Sequence, residues 1–255
     1  MSHLNGKTVI ITGASRGIGA ATAQHFAALG AQVVLAARSG AAISELATQI
    51  NAKGGRASAF VCDVASYQNV ADLIQHAVAD FGGLDVLVNN AGLIEPIARL
   101  TDSDPELWGQ IADVNYKGVY HGLHAAIPAL LKTGGGTVIN ISSGAATSAL
   151  EGWSHYCSTK AAVLSLTRCA HKEYGVQGIN VIGLSPGTVA TEMQVAIKQS
   201  GINPVSQLDP EAHIPAQWVA QSIAYLCGPG GAAHVGTDFS LKTEAGRAEV
   251  GLPNQ

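Results

Sequence analysis

Charge is scarce in this chain. Only 13% of its 255 residues are Asp, Glu, Lys or Arg, and the formal net charge is −4. No run of basic residues interrupts that sparse pattern, so neither a nucleic acid nor a membrane surface is an expected partner. Cysteine is scarce as well. Cys62, Cys157, Cys169 and Cys227 form no CxxC pair, and their spacing suits neither zinc nor a disulfide framework. They read as reduced thiols of a cytoplasmic protein, with Cys157 a small packing residue. No stretch approaches the ~18 apolar residues that a membrane span needs. The N-terminus runs Met-Ser-His-Leu-Asn-Gly-Lys straight into an apolar strand, without the basic segment and long hydrophobic region of a secretory signal. The nine histidines include no HExxH or similar spacing, so no metal site is expected. The 30 glycines are scattered rather than periodic, which excludes a collagen-like or low-complexity chain. Neither a Pro/Ser-rich linker, a composition shift nor a repeat divides the sequence. Residues 1–255 are therefore expected to form a single domain, long enough and, at 47% hydrophobic, apolar enough to bury a large core.

What is present is a regular alternation. Thr8 to Ile11 is a continuous apolar run of the buried-strand kind, followed by a glycine turn and a helical stretch from about Ile18 to Leu29. Strands are expected at Gln32 to Ala37, Ala57 to Cys62 and Leu84 to Val88, separated by helices at Ala41 to Lys53 and Asn69 to Phe81. Asp104 and Pro105 suit an N-cap and a first-turn proline, opening one long helix toward Leu131. Asp102 and Glu106 belong to the same helix start, where the dipole favours acids. A strand at Thr137 to Ile141, a helix from about Tyr156 to Tyr174 and a strand at Ile179 to Leu184 come next. A helix at Gln217 to Leu226 and a short strand at Val235 to Leu241 complete the pattern. Strands alternating with helices predict an α/β fold, a doubly wound parallel sheet of about seven strands with helices on both faces. In such a sheet ligands sit beyond the carboxyl ends of the strands. Ser15, Asp63, Asn90, Ser143 and Pro186 each follow a strand.

Three clusters carry chemistry. Thr12-Gly13-Ala14-Ser15-Arg16-Gly17-Ile18-Gly19 lies between a strand and a helix, with GxxxGxG spacing. Glycines there allow a tight turn and close backbone approach to a pyrophosphate, whose charge then faces the helix N-terminus. Asn89-Asn90-Ala91-Gly92 follows the fourth strand. Tyr156 and Lys160 are four apart and share a helix face. A nearby ammonium favours the phenolate and would lower the tyrosine pKa toward the working pH.

Together these motifs resemble those of the short-chain dehydrogenase/reductase family, over about Lys7 to Leu226. The resemblance implies a Rossmann-like fold, an NADP(H) or NAD(H) cofactor and hydride transfer to or from a carbonyl carbon. It implies Tyr156 as general acid/base, Ser143 (rather than Ser142) on the substrate oxygen, and Lys160 on the nicotinamide ribose. Asn115 would hold a water that relays protons to the lysine. Gly13, Ser15, Arg16, Gly17, Ile18 and Gly19 would cradle phosphates, with Asn90, Ala91 and Gly92 beside them. Asp63 and Val64 would lie along the adenine. The loop Pro186-Gly187-Thr188-Val189-Ala190-Thr191 would hold the carboxamide through Val189 and Thr191. Leu150, Trp153, Thr188 and Met193 would flank the substrate mouth, an apolar wall suited to a hydrophobic or aromatic ketone.

The cofactor choice can be read from the residues. An NAD site normally puts Asp or Glu on the ribose 2′-hydroxyl, ~20 residues beyond the glycine motif. Here the second strand ends Ala36-Ala37-Arg38-Ser39, and no acid occurs from Ala20 through Ser44. Arg38 and Arg16 therefore point to NADP(H), because a guanidinium fork suits a 2′-phosphate. The segment Gly236 to Lys242 lacks the DGG-type ending of many relatives, including the 3-oxoacyl carrier-protein reductases, and is loosely closer to the sepiapterin or benzil reductases. The expected enzyme is thus an NADP-dependent carbonyl reductase or alcohol dehydrogenase acting on a small molecule. A 3-oxoacyl-carrier-protein reductase and a non-catalytic dinucleotide-sensing regulator are the alternatives. The resemblance also implies a homodimer or homotetramer, and the polar tail after Lys242 is expected to be ordered by a partner subunit.

Overall fold

The computed structural model describes residues 2–253. Its strands are β1 (Thr8–Thr12), β2 (Gln32–Ala37), β3 (Arg56–Val61), β4 (Val86–Asn89), β5 (Gly136–Ile141), β6 (Ile179–Ser185) and β7 (Asp238–Ser240). They form one sheet in the order β3-β2-β1-β4-β5-β6-β7, and every neighbouring pair is parallel. The helices between them are α1 (Gly17–Ala28), α2 (Gly40–Ala52), α3 (Tyr67–Phe81), α4 (Pro105–Ala112), α5 (Gly118–Lys132), α6 (Ser154–Tyr174), α7 (Glu192–Ser200), α8 (Ala216–Leu226) and α9 (Glu244–Val250). This is the doubly wound, Rossmann-like arrangement expected from the alternation.

Side-chain alternation along the strands builds two apolar layers. Val9 and Ile11 of β1 join Leu35, Val88, Ile139 and Leu184 on one face. Phe26 of α1, Ile43 of α2 and Val219 and Ile223 of α8 cover them. Ile10, Val34, Leu87, Val138 and Val181 turn to the opposite face. There Leu73 of α3, Leu123 and Ile127 of α5, and Val163 of α6 bury them. Both faces are dry, so the central strands read as apolar runs.

Two elements depart from the sequence expectation. The helix starting at Asp104 is capped as predicted, its carboxylate accepting from Glu106 N (2.8 Å) and Leu107 N (3.0 Å). It does not run unbroken to Leu131. A π-turn, Asp113–Lys117, divides it. Asn115 lies in that turn, and its side chain accepts from Leu93 N (2.8 Å) and donates to Leu93 O (2.8 Å). The tail after Lys242 is also not left to a partner. Thr243 caps α9 by accepting from Gly246 N, Arg247 donates to the carbonyls of Leu241 and Lys242, and Leu252 is buried in the first apolar layer.

Candidate active site

The strand order reverses beside β1, between β1 and β4, and the two strand ends are stitched together there. The Thr12 hydroxyl accepts from the backbone N–H groups of Asn90 (3.0 Å) and Ala91 (3.1 Å), while Asn90 Nδ2 donates to the carbonyls of Thr12 (2.8 Å) and Gly13 (3.2 Å). Asn90 thus holds the glycine turn in shape. Gly13 has φ +64°, and a Cβ on it would lie 2.9 Å from Ala91 Cα. A Cβ on Gly19 would strike the Gly13 carbonyl. Only glycine fits this cradle. The turn feeds α1, whose N-cap residue Arg16 makes no side-chain cap and whose first turn carries no acid. Its first N–H groups and the positive end of the helix dipole are therefore open to an anion.

The other half of the cleft comes from the loop after β6. Pro186 is buried, and Gly187 takes φ +79°. Val189 pairs with Ile214, flanked by bonds from Ile214 N to Thr188 O (3.0 Å) and from Ala190 N to Ile214 O (2.9 Å). Thr191, the N-cap position of α7, places its methyl 3.2 Å from where a Gly17 Cβ would be. This loop therefore packs directly against the glycine turn. Arg16 and Glu192 form an exposed ion pair across the contact. Arg16, expected to face a phosphate, thus has a carboxylate partner within the chain. Arg38 is exposed just past β2, with no acid in the vicinity of Ala37 in sequence. Asp63 and Val64 lie just past β3. One Asp63 oxygen accepts from Ala65 N, and the Val64 carbonyl meets His121 Nδ1 at 2.8 Å.

Between the halves sit the three chemical groups. Tyr156 is 8% exposed and Lys160 4%, both on the first turns of α6. The Ser143 hydroxyl, just past β5, hydrogen-bonds the Tyr156 phenol. Lys160 Nζ donates to Ile141 O at 2.7 Å and stands 5.5 Å from the Tyr156 ring centroid. Burial pushes the Tyr156 phenol up to about 12, and the Ser143 hydrogen bond pulls against it. Burial lowers Lys160 to about 8, opposed by the Asp238 carboxylate. The lowering toward the working pH expected from Lys160 is outweighed by burial, and the Ser143 hydrogen bond acts in the downward direction. A Cβ on Gly92 would come 3.5 Å from Asn115 Oδ1 and 4.0 Å from Lys160 Nζ, so the π-turn, the NNAG segment and the lysine converge. Leu93 already occupies both polar atoms of the Asn115 side chain.

A third apolar cluster caps this centre. Trp153 packs edge-on against Tyr156 with ring centroids 5.5 Å apart, alongside Ile94, Ala145 and Ile197, with Leu150 and Met193 against them. The cluster brings together three of the four residues expected at the substrate mouth. Thr188, the fourth, lies in the loop tied to Ile214, where its carbonyl accepts from Ile214 N at 3.0 Å. Trp153 Nε1 is buried without a hydrogen-bond partner among the described residues, whereas Trp108 Nε1 donates to Ser154 Oγ at 3.0 Å. His155 turns away from the centre, its Nε2 on Pro96 O and its Nδ1 accepting from Tyr156 N. The sequence reading missed a buried polar chain: Asn89 donates to Asn140, Asn140 to Thr167, and Thr167 to Val163 O, each at 2.9 Å. Polar residues inside apolar strands were its only signal.

Known proteins share this arrangement. Residues 7–201 match the family model for short chain dehydrogenases. A 3-oxoacyl-[acyl-carrier-protein] reductase of Synechocystis sp. is 35% identical over 94% of this chain and 97% of its own length. A cyclohexanol dehydrogenase of Acinetobacter sp. is 31% identical over 88% of this chain and 89% of its own. The crystal structure of a short-chain type dehydrogenase/reductase from Mycobacterium marinum superposes with a TM-score of 0.85 and 31% identity, covering 93% of this chain and 94% of that one.

Proposed function

The chain belongs to the short-chain dehydrogenase/reductase family of oxidoreductases, and from that premise we propose that it transfers a hydride between NADP(H) and a small, hydrophobic ketone or alcohol. The observation that carries the reading is the buried contact of Ser143 with Tyr156, with Lys160 one helical turn away and the glycine cradle beside it. The residues fit the cofactor: Gly13, Gly17 and Gly19 let the turn fold tightly against Ala91, Thr191 and its own carbonyls, and the open start of α1 suits a pyrophosphate. When bound, the cofactor supplies or accepts the hydride.

The chain's own groups do the rest. Tyr156, kept protonated at neutral pH by burial, gives its proton to the carbonyl oxygen. Ser143 donates a hydrogen bond that holds this oxygen and steadies the developing charge. Lys160, charged below about pH 8, binds the ribose and offsets the phenolate that is left. Asn115 serves the relay through the backbone of its π-turn, since Leu93 holds its side chain. Arg38, in place of the usual ribose-binding acid, takes the 2′-phosphate. Arg16 joins it when released from Glu192. Leu150, Trp153 and Met193 form the apolar wall against which the substrate packs. The whole of residues 1–255 acts as one cofactor-binding unit.

A second reading, reduction of a 3-oxoacyl thioester, is favoured by the relative that covers 94% of the chain. NADPH oxidation with cyclic and aryl ketones, 1,2-diketones and a 3-oxoacyl thioester separates the two. The proposal expects the highest kcat/KM with a ketone. A thioester preference would move the assignment to the second reading. Cofactor binding without turnover of any substrate would point to a dinucleotide-sensing protein.

A further inference from the structure

One buried acid near the centre is not used by the chemistry above. Asp238 begins β7, opposite Gly183 of β6. Its neighbour Phe239 faces the first apolar layer together with Leu184 and Ile141, so alternation turns Asp238, Ser185 and Ser142 toward the α6 side. The three meet there. Asp238 Oδ2 accepts from Ser185 Oγ at 2.7 Å and from Ser142 Oγ at 3.3 Å. Oδ1 is buried with no hydrogen-bond partner among the described residues, 2.8 Å from where a Gly183 Cβ would lie. Ser142 stands between Ile141, whose carbonyl holds Lys160, and Ser143, which holds Tyr156.

The charges around this carboxylate come from α6. Lys160 and Arg168, eight residues apart and so on one helix face, both act on it. Ser142, just past β5, and Ser185 of β6 offer it their hydroxyls. Around Lys160, the titratable or charged groups are Tyr156 on its own helix and Asp238 from β7; β5 presents the Ile141 carbonyl, and the π-turn presents Asn115.

We propose that Asp238 is a positioning residue for Lys160, an acid locked by Ser142 and Ser185 whose negative charge keeps the buried lysine in its ammonium form. The idea rests on the assignment of Lys160 to cofactor binding. Desolvation alone penalises a buried ammonium, and a nearby carboxylate offsets that penalty. The direction of the Lys160 shift agrees, burial lowering it and Asp238 raising it.

The test is NADPH affinity against pH, read by fluorescence titration without turnover. In the wild type, affinity falls above about pH 8 as Lys160 loses its proton. Asp238→Asn and Asp238→Thr, which remove the charge with and without an amide, should move that fall about one pH unit lower, the small end of a neighbouring-charge effect. At pH 6 both should bind NADPH as the wild type does. Lys160→Met separates the two ideas. If it binds NADPH as tightly as the wild type at pH 6, the lysine assignment fails. If it binds weakly while folded neutral Asp238 variants keep the wild-type pH dependence, only the Asp238 proposal is overturned. Failure of both neutral variants to fold, seen by circular dichroism, would assign Asp238 to holding strands together and also overturn it.

Discussion

At the scale of single residues, two side chains set the expected pH behaviour. Tyr156, raised to about 12 by burial, is a phenol rather than a phenolate at neutral pH. Reduction uses the phenol, so its kcat/KM should stay flat from pH 6 to about pH 8, where Lys160 begins to lose its charge. Oxidation uses the phenolate, whose fraction grows about tenfold per pH unit below the pKa. Alcohol oxidation should therefore climb steeply over the same range. Reduction that declined between pH 6 and 7.5 would contradict this assignment. In the proposed NADP(H) reading, cofactor choice turns on Ala37 and Arg38. A charge-assisted hydrogen bond is worth ~1.5–3 kcal/mol, so Arg38→Leu should weaken NADPH by roughly 10- to 150-fold. Ala37→Asp/Arg38→Leu should move the kcat/KM preference toward NADH, and an unmoved preference would count against the NADP(H) reading. The residues that the sequence made visible were those packed into short motifs: the glycine turn, NNAG, and the Tyr156–Lys160 pair. Asn140 and Asp238 stayed hidden, and Thr12 was legible only as the first residue of the glycine motif. Each is a lone polar residue on a strand, and its partners are 50 or more residues away or, for Thr167, across the sheet on another element.

At the scale of elements, most strands and helices were legible because both faces of the sheet are buried and the connections carry their own caps. The π-turn was not. The apolar pattern continues through Asp113–Lys117, and only the bond pair between Asn115 and Leu93 shows why the helix widens there. α7 was missed because its start reads as cofactor loop, although Glu192 in its first turn and Gly201 at φ +63° just beyond it are ordinary helix signals. α9 was read as tail for want of length. Its anchor is Leu252, 7% exposed in the first apolar layer. Leu252→Ala should cost about 2 kcal/mol, the low end for a buried leucine. In a chain of this size that is a melting point lower by about 4–8 °C. The drop should be the same at every protein concentration, since the contact lies within one chain. A drop that vanished on dilution would return the tail to a partner subunit.

At the scale of the whole molecule, the surface bears on assembly and the cleft on chemistry. Val119 and Leu123 of α5 and Val163 of α6 belong to the core. Tyr120 is 47% exposed, and Tyr116 in the π-turn 40%, so this helix carries an exposed aromatic pair four residues apart. We propose a homodimer or homotetramer built on it, for which light scattering at micromolar concentration should give two or four times the 26.0 kDa chain mass. A stable monomer would contradict it. The proposed chemistry converges on one proton. Tyr156→Phe removes a single oxygen from a buried ring, so the fold and NADPH affinity should persist. General acid catalysis is worth ~10²–10⁴-fold, and kcat for ketone reduction should fall by about that much. A Tyr156→Phe enzyme that bound NADPH normally and reduced its best ketone at near wild-type kcat would contradict the central claim.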